Sequence, residues 1–362
     1  MSAPRVVCAP DKLRGALDAF AAAEALAEGV RRAGGEPLAC GLADGGEGTL
    51  AVVCRAGGAE RIELDAHDAL GRPVRAAIGD CGDGTYLVEA AEAVGLALLA
   101  PRERDPRQTG SGGLADLLRA AVARGARHVL VALGGSATVD GGLGLLAGLG
   151  AHVPGTTGEA LLGKLDLDLA PALDALEGAR LTVLHDVDVP LCGPDGAAAL
   201  FGPQKGLKRS DIKSFDEALG RLGEAFGNDV AARPGAGAAG GLGAALYALG
   251  ADARAGSDAV IELVGLPGML AGAALCLTAE GSVDRQSARG KTVAGVVEAA
   301  RAAGVPCIVL GGRVTNEAIA PLKALGAADV RAIGPAGRRL QVALAAAAAD
   351  LARAAEKAVR EL

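Results

Sequence analysis

Both ends of the chain alternate short apolar runs with segments of helical periodicity. Residues 5–9, 37–43, 275–279, 306–310 and 328–333 are largely apolar and bounded by turn residues, the pattern of strands buried on both faces. Periodic stretches lie between and after them. Phe20, Ala23, Ala27 and Val30 share one helical stripe that Asp18 can cap and that Gly34 and Gly35 stop, and further helices are expected over 293–303, 316–325 and 340–362. Such alternation predicts parallel βαβ units.

The middle of the chain differs. From about Ile62 the runs shorten and turns multiply, until a helix over 114–124, an apolar strand over 128–133 and a helix over 143–149. Residues 155–175 read as loop and turn, 181–184 as a strand and 210–226 as an acidic helical segment. The expected organisation is α/β in two domains. Residues 1–64 and 286–362 form a parallel-sheet domain, and residues 65–285 form an inserted α/β domain that carries most of the glycine-rich loops.

Composition narrows the partners. The chain has 362 residues, with Lys+Arg 36 against Asp+Glu 43 and a net charge of −7. No basic block interrupts it, which argues against nucleic acid or an anionic membrane surface as partner. The longest uncharged apolar stretch, 263–279, is broken by Pro267 and three glycines and is too short to span a bilayer. No basic-then-apolar export segment leads the sequence, so a cytoplasmic location is expected. Seven scattered cysteines without a C-x-x-C pair favour reduced, packed thiols.

Polar glycine loops hold the candidate chemistry. Gly134, Gly135, Ser136, Ala137, Thr138, Val139, Asp140, Gly141 and Gly142 follow the strand at 128–133 and precede a helix, an arrangement that suits an anion. The plainer reading is a tight turn with Asp140 as helix cap. Asp44 and Glu47 flank paired glycines in a second loop, where Mg²⁺, a substrate hydroxyl or a helix N-terminus would meet them. His185, Asp186 and Asp188 end the strand at 181–184, either at a magnesium ion or in a turn closed by Pro190. Lys205 sits between glycines after a proline-fixed turn and suits a phosphate or carboxylate. Residues 235–243 contain G-x-G-x-x-G without a convincing strand before it, so they read as backbone closely approached by a neighbour. Carboxylates for Mg²⁺ with cations and amides for phosphates fit a kinase better than a hydrolase, for which only His185 is placed in a polar loop. An oxidoreductase using a nucleotide cofactor is the weaker alternative.

The motifs, taken in order, closely resemble the type I glycerate kinase family: Ala-Pro-Asp (9–11), Leu-Ala-Asp-Gly-Gly-Glu-Gly-Thr (42–49), Gly-Gly-Ser-Ala-Thr-x-Asp-Gly-Gly (134–142), Asp-Val-x-x-Pro-Leu-Cys-Gly (186–193), Phe-Gly-Pro-Gln-Lys-Gly (201–206), Gly-Ala-Gly-Ala-Ala-Gly-Gly-Leu-Gly (235–243) and Glu-Gly-x-x-Asp-x-Gln (280–286). The resemblance spans nearly the whole chain. It implies a flavodoxin-like domain with a second α/β domain inserted and the site in the cleft between them. It also implies ATP-dependent, Mg²⁺-requiring phosphorylation of D-glycerate, with 2-phosphoglycerate favoured over 3-phosphoglycerate as product. A homodimer is one expected assembly.

Roles follow on that reading. Gly134, Gly135, Ser136, Thr138, Gly141 and Lys291, with Lys205, are expected to hold phosphates, and Asp44, Glu47 or Glu280 to hold Mg²⁺. Asp186 or Asp140 is expected to orient or deprotonate the acceptor hydroxyl, with Lys205 as the third catalytic residue. Arg72 and Arg14 are expected to pair the glycerate carboxylate, and Asp44 and Asp188 to contact substrate. The chain departs from the family pattern at Lys12 (usually serine), Arg14 (lysine), Gly113 (glutamate), Val139 and Val189 (asparagines), Ala274 (aspartate), and at Ala279 and Ser282 of the usual Gly-Glu-Gly-Arg. Two valines beside Asp140 and Asp188 remove hydrogen-bonding groups. The alternative is a diverged member that phosphorylates another small hydroxy acid, or binds nucleotide without turnover.

Overall fold

The computed structural model describes residues 3–185, 188–288 and 291–362. In chain order the strands are β1 (Arg5–Cys8), β2 (Glu36–Ala39), β3 (Glu60–His67), β4 (Pro73–Asp80), β5 (Thr85–Glu89), β6 (His128–Ala132), β7 (Arg180–His185), β8 (Asp252–Ala255), β9 (Leu275–Val283), β10 (Cys307–Val314) and β11 (Ala327–Ala332). They form two sheets in two compact units. Residues 1–44, 51–58 and 257–362 make one unit, and residues 45–50 and 59–256 the other.

The first unit is a parallel sheet in the order β11-β10-β9-β1-β2, the doubly wound flavodoxin-like arrangement. Val6, Val7 and Cys8 of β1 are fully buried, as a strand covered on both faces requires. Val6 pairs with Pro37 on one side and with Leu275 on the other. The helix Ala19–Arg32 starts where expected: Asp18 accepts the Ala21 N–H at 2.7 Å. Its apolar stripe is formed by Ala22, Leu26 and Val30, and Phe20 lies at its edge beneath the Arg55 guanidinium, 4.5 Å from the ring centroid. Leu351 and Ala355 of the helix Leu340–Arg360 pack into the same core.

The second unit has the order β3-β4-β5-β6-β7-β8. β3 to β5 are antiparallel and β5 to β8 are parallel. β3 and β4 were not expected as a hairpin, although Ile62, Leu64 and Ala66 alternate with charged residues, as in a sheet solvated on one face. Leu114, Leu117 and Leu118 of the helix Gly112–Val122 join Val129 and Val131 of β6 and Phe215 of the helix Ile212–Phe226 in one core. Further details depart from the sequence expectation. The 155–175 stretch contains short helices, Gly158–Leu161 and Ala170–Ala175, anchored by buried Leu161 and Ala172. The unit bounds also differ from the expected 1–64 and 286–362: residues 45–50 and 59–64 belong to the second unit, and the chain returns to the first at Ser257, ahead of β9, which pairs with β1. Among the described residues no helix is long and apolar enough to cross a membrane.

The crossing of Ala19–Arg32 with Leu340–Arg360 depends on Gly29, where an added Cβ would lie 2.0 Å from the Ala352 carbonyl oxygen. Backbone cannot give way as a flexible side chain can. Gly29→Val is expected to destabilise the protein by about 2 kcal/mol or more, read as a lower thermal midpoint. A midpoint equal to wild type would show that the two helices can separate without cost.

Candidate active site

The loop after β6 is built by close backbone approach. An added Cβ on Gly134 would lie 2.4 Å from the Gly46 Cα, and Gly135, at φ 78°, turns the chain beside Glu47. The loop is further pinned by the Leu96 N–H on the Gly135 carbonyl (2.7 Å) and by the Ala137 N–H on the Val94 carbonyl (2.8 Å). The 235–243 glycines serve the same packing. Gly240 accepts the Gly141 N–H at 3.0 Å, and a Cβ there would meet the Thr138 carbonyl oxygen at 2.0 Å. Their glycine content follows from this contact and not from dinucleotide binding.

Asp140 is fully buried and structurally committed. Its Oδ2 accepts the Ser111 N–H (2.8 Å), the Ser111 hydroxyl (2.7 Å) and the Gly144 N–H (3.0 Å), and its Oδ1 accepts the Gly142 N–H (3.1 Å). Ser111 Oγ in turn accepts the Leu145 N–H at 2.9 Å. The amides at the start of the short helix Leu143–Gly148 are thus used inside the protein, so the expectation that they face an anion gives way to the plainer reading of Asp140 as a cap. Gly141, at φ 64°, has Leu222 Cδ2 2.2 Å from an added Cβ, so it is a packing position.

Lys205 supplies what the helix does not. It ends the short turn Pro203–Lys205 and is 3% exposed. Its Nζ donates to Ser136 Oγ at 3.0 Å and to the Thr138 carbonyl oxygen at 2.8 Å. Both acceptors are neutral. Burial pushes the ammonium down from 10.5 to about 7, against the opposing field of Asp140. Two of its three protons are engaged, and the buried Thr138 Oγ1 has no partner among the described residues. The loop therefore keeps hydrogen-bonding capacity beside a buried cation.

A second set of groups lies in the first unit, at the C-terminal ends of β1 and β9, where the strand order reverses and doubly wound sheets bind ligands. Asp11 accepts the Lys12 N–H (2.6 Å) and the Thr292 hydroxyl (3.0 Å), and Lys12 Nζ is 3.7 Å from Asp44. Burial, and then the charge of Asp44, push Asp11 up to about 6. Burial also pushes Glu280 up to about 7, the Asp11 charge adding to it and the Ser287 hydroxyl and Lys291 opposing it. Glu280 Oε1 is buried with no partner among the described residues. Lys291 donates to Gln286 Oε1 at 3.3 Å, and Asp284 accepts the Gln286 N–H at 2.8 Å.

The other expected residues separate. Arg72 is engaged by Asp68 (2.6 Å) in the β3–β4 turn and by Glu103 (2.9 Å), so its charge is already paired. Arg14 and Asp188 are exposed, and Asp186 lies outside the described residues. Of the expected Mg²⁺ ligands, Asp44 and Glu280 belong to the first unit and Glu47 to the second. Among the described residues no three of His, Cys, Asp or Glu are gathered to hold a metal ion. Two buried polar side chains go unmarked in the sequence. Ser111 holds Asp140, and Glu89, pushed up to about 7 by burial, caps the helix Thr49–Arg55 by accepting the Gly48 (2.9 Å) and Leu50 (2.8 Å) N–H groups. Glu89 lies in no glycine-rich motif, and Ser111 sits between Gly110 and Gly112 at the start of a helix.

The departures at valine and glycine are absorbed by packing. Val139 and Val189 are buried, and a Cβ on Gly113 would lie 1.9 Å from the His67 carbonyl oxygen.

The sequence model of the glycerate kinase family matches residues 6–362. A glycerate kinase of Bacillus subtilis is 37% identical over 328 residues, covering 86% of this chain and 86% of that protein. The glycerate 2-kinase of Escherichia coli is 37% identical over 329 residues, with 86% of each chain covered. The crystal structure of a protein assigned as glycerate kinase 2 from Salmonella typhimurium LT2 matches with a TM-score of 0.81 at 33% identity, covering 99% of this chain and 98% of that one.

Removing the Asp140 carboxylate leaves four buried donors without an acceptor. Asp140→Ala is expected to lower stability by at least about 3 kcal/mol, measured by denaturant unfolding. Unchanged stability with lost activity would instead restore a chemical role to this residue.

Proposed function

This chain belongs to the glycerate kinase family and is a kinase, and we propose that it transfers the γ-phosphoryl group of ATP to D-glycerate to give 2-phosphoglycerate. The observation that carries the reading is the buried Lys205 ammonium, held on Ser136 and Thr138 with one of its three protons unassigned among the described residues. Phosphoryl transfer asks mainly for such preplaced positive charge. Support for the 2-phosphate comes from the name of the Escherichia coli relative.

In this mechanism Lys205 and the hydroxyls of Ser136 and Thr138 hold the transferred phosphoryl oxygens, and the backbone around Gly134 and Gly135 fixes their position. Lys291, at the start of the helix Thr292–Ala302, adds charge toward the remaining phosphates. The carboxyls of Asp44 and Glu280, with Asp11 between them electrostatically, are hard oxygen donors of the kind Mg²⁺ takes. Mg²⁺ commonly uses one or two protein carboxylates and completes its shell with phosphates and water, so a three-ligand cage is not required. When bound, the ion neutralises charge developing on the phosphates. Asp186, directly after β7, accepts the proton of the attacking hydroxyl. Arg14, exposed beside Lys12, is the better placed of the two expected arginines to meet the glycerate carboxylate, since Arg72 is already paired.

The direct test is ADP release from ATP and Mg²⁺ with D-glycerate, with a panel of other small hydroxy acids, and with identification of the product. Release with another acid only would mean a pocket retuned around Val139 and Val189, and nucleotide binding without release would end the kinase reading for this chain. Asp186→Ala is expected to lower kcat by at least about two orders of magnitude. Near-normal turnover in that variant would remove Asp186 as base.

Lys205 predicts a pH dependence. Only the protonated amine attracts phosphate, so kcat/KM is expected to fall as pH rises through about 7, the value of the free enzyme. Bound phosphate restores a counter-charge and moves the corresponding limb of kcat to higher pH. Lys205→Met should lower kcat/KM by roughly a hundredfold or more and lose this limb. A Lys205→Met enzyme that keeps the wild-type alkaline limb would assign it to another group.

A further inference from the structure

Arg104 carries a charge that nothing in the second unit balances. It follows the short turn Pro101–Glu103 and is half-buried. Its Nε is buried and has no partner among the described residues. Nη2 reaches the Leu96 carbonyl oxygen at 3.5 Å, the outer limit of a hydrogen bond. The neighbouring arginines differ. Arg72 and Arg107 each hold two carboxylates, whereas among the described residues Arg104 makes no ion pair. The acids beside it in sequence are engaged elsewhere: Glu103 accepts from the Ala100 N–H and from Arg72, and Asp105 accepts from the Arg107 N–H and the Gln108 carboxamide.

Both ends of this residue border the loop that meets Lys205. At Gly206, where φ is 96°, an added Cβ would lie 1.9 Å from the Arg104 carbonyl oxygen and 3.2 Å from its Cβ. The turn that carries Lys205 is therefore packed directly on Arg104. At the other end, Leu96, whose carbonyl faces Nη2, donates its N–H to the Gly135 carbonyl at 2.7 Å, and Gly95 forms a bridge with Ser136. Ser136 is the residue that accepts from Lys205 at 3.0 Å. Two cations thus border one loop, in which the buried Thr138 Oγ1 also lacks a partner among the described residues. Asp140, the carboxylate of that loop, is committed to Ser111, Gly142 and Gly144. Like charges and unfilled donors gathered in this way are unfavourable until an anion joins them.

We propose that Arg104 is a second anion-binding residue of the site, and that its guanidinium, beside Lys205, takes a substrate oxyanion: a phosphoryl oxygen of the donor or the carboxylate of the acceptor acid. The inference rests on the kinase reading above and adds a residue to it. Carboxylate and phosphate share the chemistry that Arg104 recognises. Nε–H and Nη2–H lie on one edge of a planar fork that matches two oxygens of either group, and this is the edge the protein leaves unsatisfied.

Arg104→Met keeps the apolar stem and removes the charge. Because the guanidinium makes no ion pair, the thermal midpoint of the variant is expected to stay within about 2 °C of wild type or to rise. Calorimetric titration of ATP with Mg²⁺ and, separately, of D-glycerate reads binding without turnover. Arg104→Met is expected to raise Kd about tenfold or more for one of the two and to leave the other within about twofold. A change for ATP identifies the phosphoryl oxygen as the bound group, and a change for D-glycerate identifies the carboxylate. Arg104→Lys keeps the charge without the fork and is expected to recover part of the loss. Unchanged Kd for both ligands, an equal rise in both, or a lowered thermal midpoint, the mark of a structural role, would overturn the assignment. Wild-type protein that binds both ligands without releasing ADP would overturn the kinase reading alone, since the comparison of Kd values does not depend on turnover.

Discussion

Asp140 has no contact with solvent, so its oxygens must find every partner inside the protein, and they do so by gathering the starts of two helices. The turn before Gly112–Val122 supplies Ser111, the start of Leu143–Gly148 supplies Gly142 and Gly144, and Ser111 passes the contact on to Leu145. An unsatisfied buried acceptor or donor costs of the order of 1–3 kcal/mol, so each of these bonds restrains the others. The loop that begins at Gly134 is fixed at its far end by this carboxylate and along its length by backbone contacts that only glycine permits, at Gly134 against Gly46 and at Gly240 against Thr138. Its hydroxyls are thereby presented at set positions. Rigidity of this kind is what electrostatic catalysis requires, because donors that need not reorganise lose nothing when charge develops.

The buried charged groups of the two units have different neighbours. Around Lys205 the acceptors are neutral oxygens, whereas around Asp11 the neighbours are Asp44 and Glu280. Each arrangement is unfavourable on its own. A buried ammonium without a counter-ion titrates low, and buried carboxyls near one another titrate high, as both do here. Lys205, with a folded value near 7 against 10.5, binds fewer protons folded than unfolded across that interval. Folding stability contributed by this residue therefore increases from pH 7 toward 10.5, and the protonated form that would meet phosphate is the one the fold disfavours. Carboxyls raised to about 6 and 7 behave in the opposite sense, binding more protons folded than unfolded, so their ionisation costs stability as pH rises through those values.

Much of the first unit was legible in the sequence, because strands buried on both faces leave uninterrupted apolar runs and their helices leave a periodic stripe. β1, β9 and β10 and the Asp18 cap are read from local pattern alone. The β3–β4 hairpin was not, since its alternation of Ile62, Leu64 and Ala66 with charges spans a segment otherwise rich in turns. The loops were found by their glycines, but their composition does not say which polar groups point inward. Asp140 is spent on internal partners and Arg72 is paired with Asp68, while Glu89 and Ser111 accept backbone N–H groups. Pairings of this type join residues far apart in sequence, such as Glu89 with Leu50, and no local pattern encodes them.

The same limit explains the glycines of 235–243. A formula such as G-x-G-x-x-G records where side chains are missing and is silent on what takes their place. In dinucleotide sites the space is taken by a pyrophosphate at a helix N-terminus. Here the carbonyl of Thr138 would lie 2.0 Å from a Cβ on Gly240, and the Pro190 carbonyl oxygen 2.1 Å from one on Gly237. Protein backbone fills the space, and the glycines let a second segment press against the loop that carries Ser136 and Thr138. Enlarging Gly240 would therefore displace that loop before it touched any ligand, and at φ 74° it would strain the backbone as well. For this stretch the absence of a preceding strand was the informative observation, because a phosphate-binding turn needs a strand to aim it and a packing contact does not.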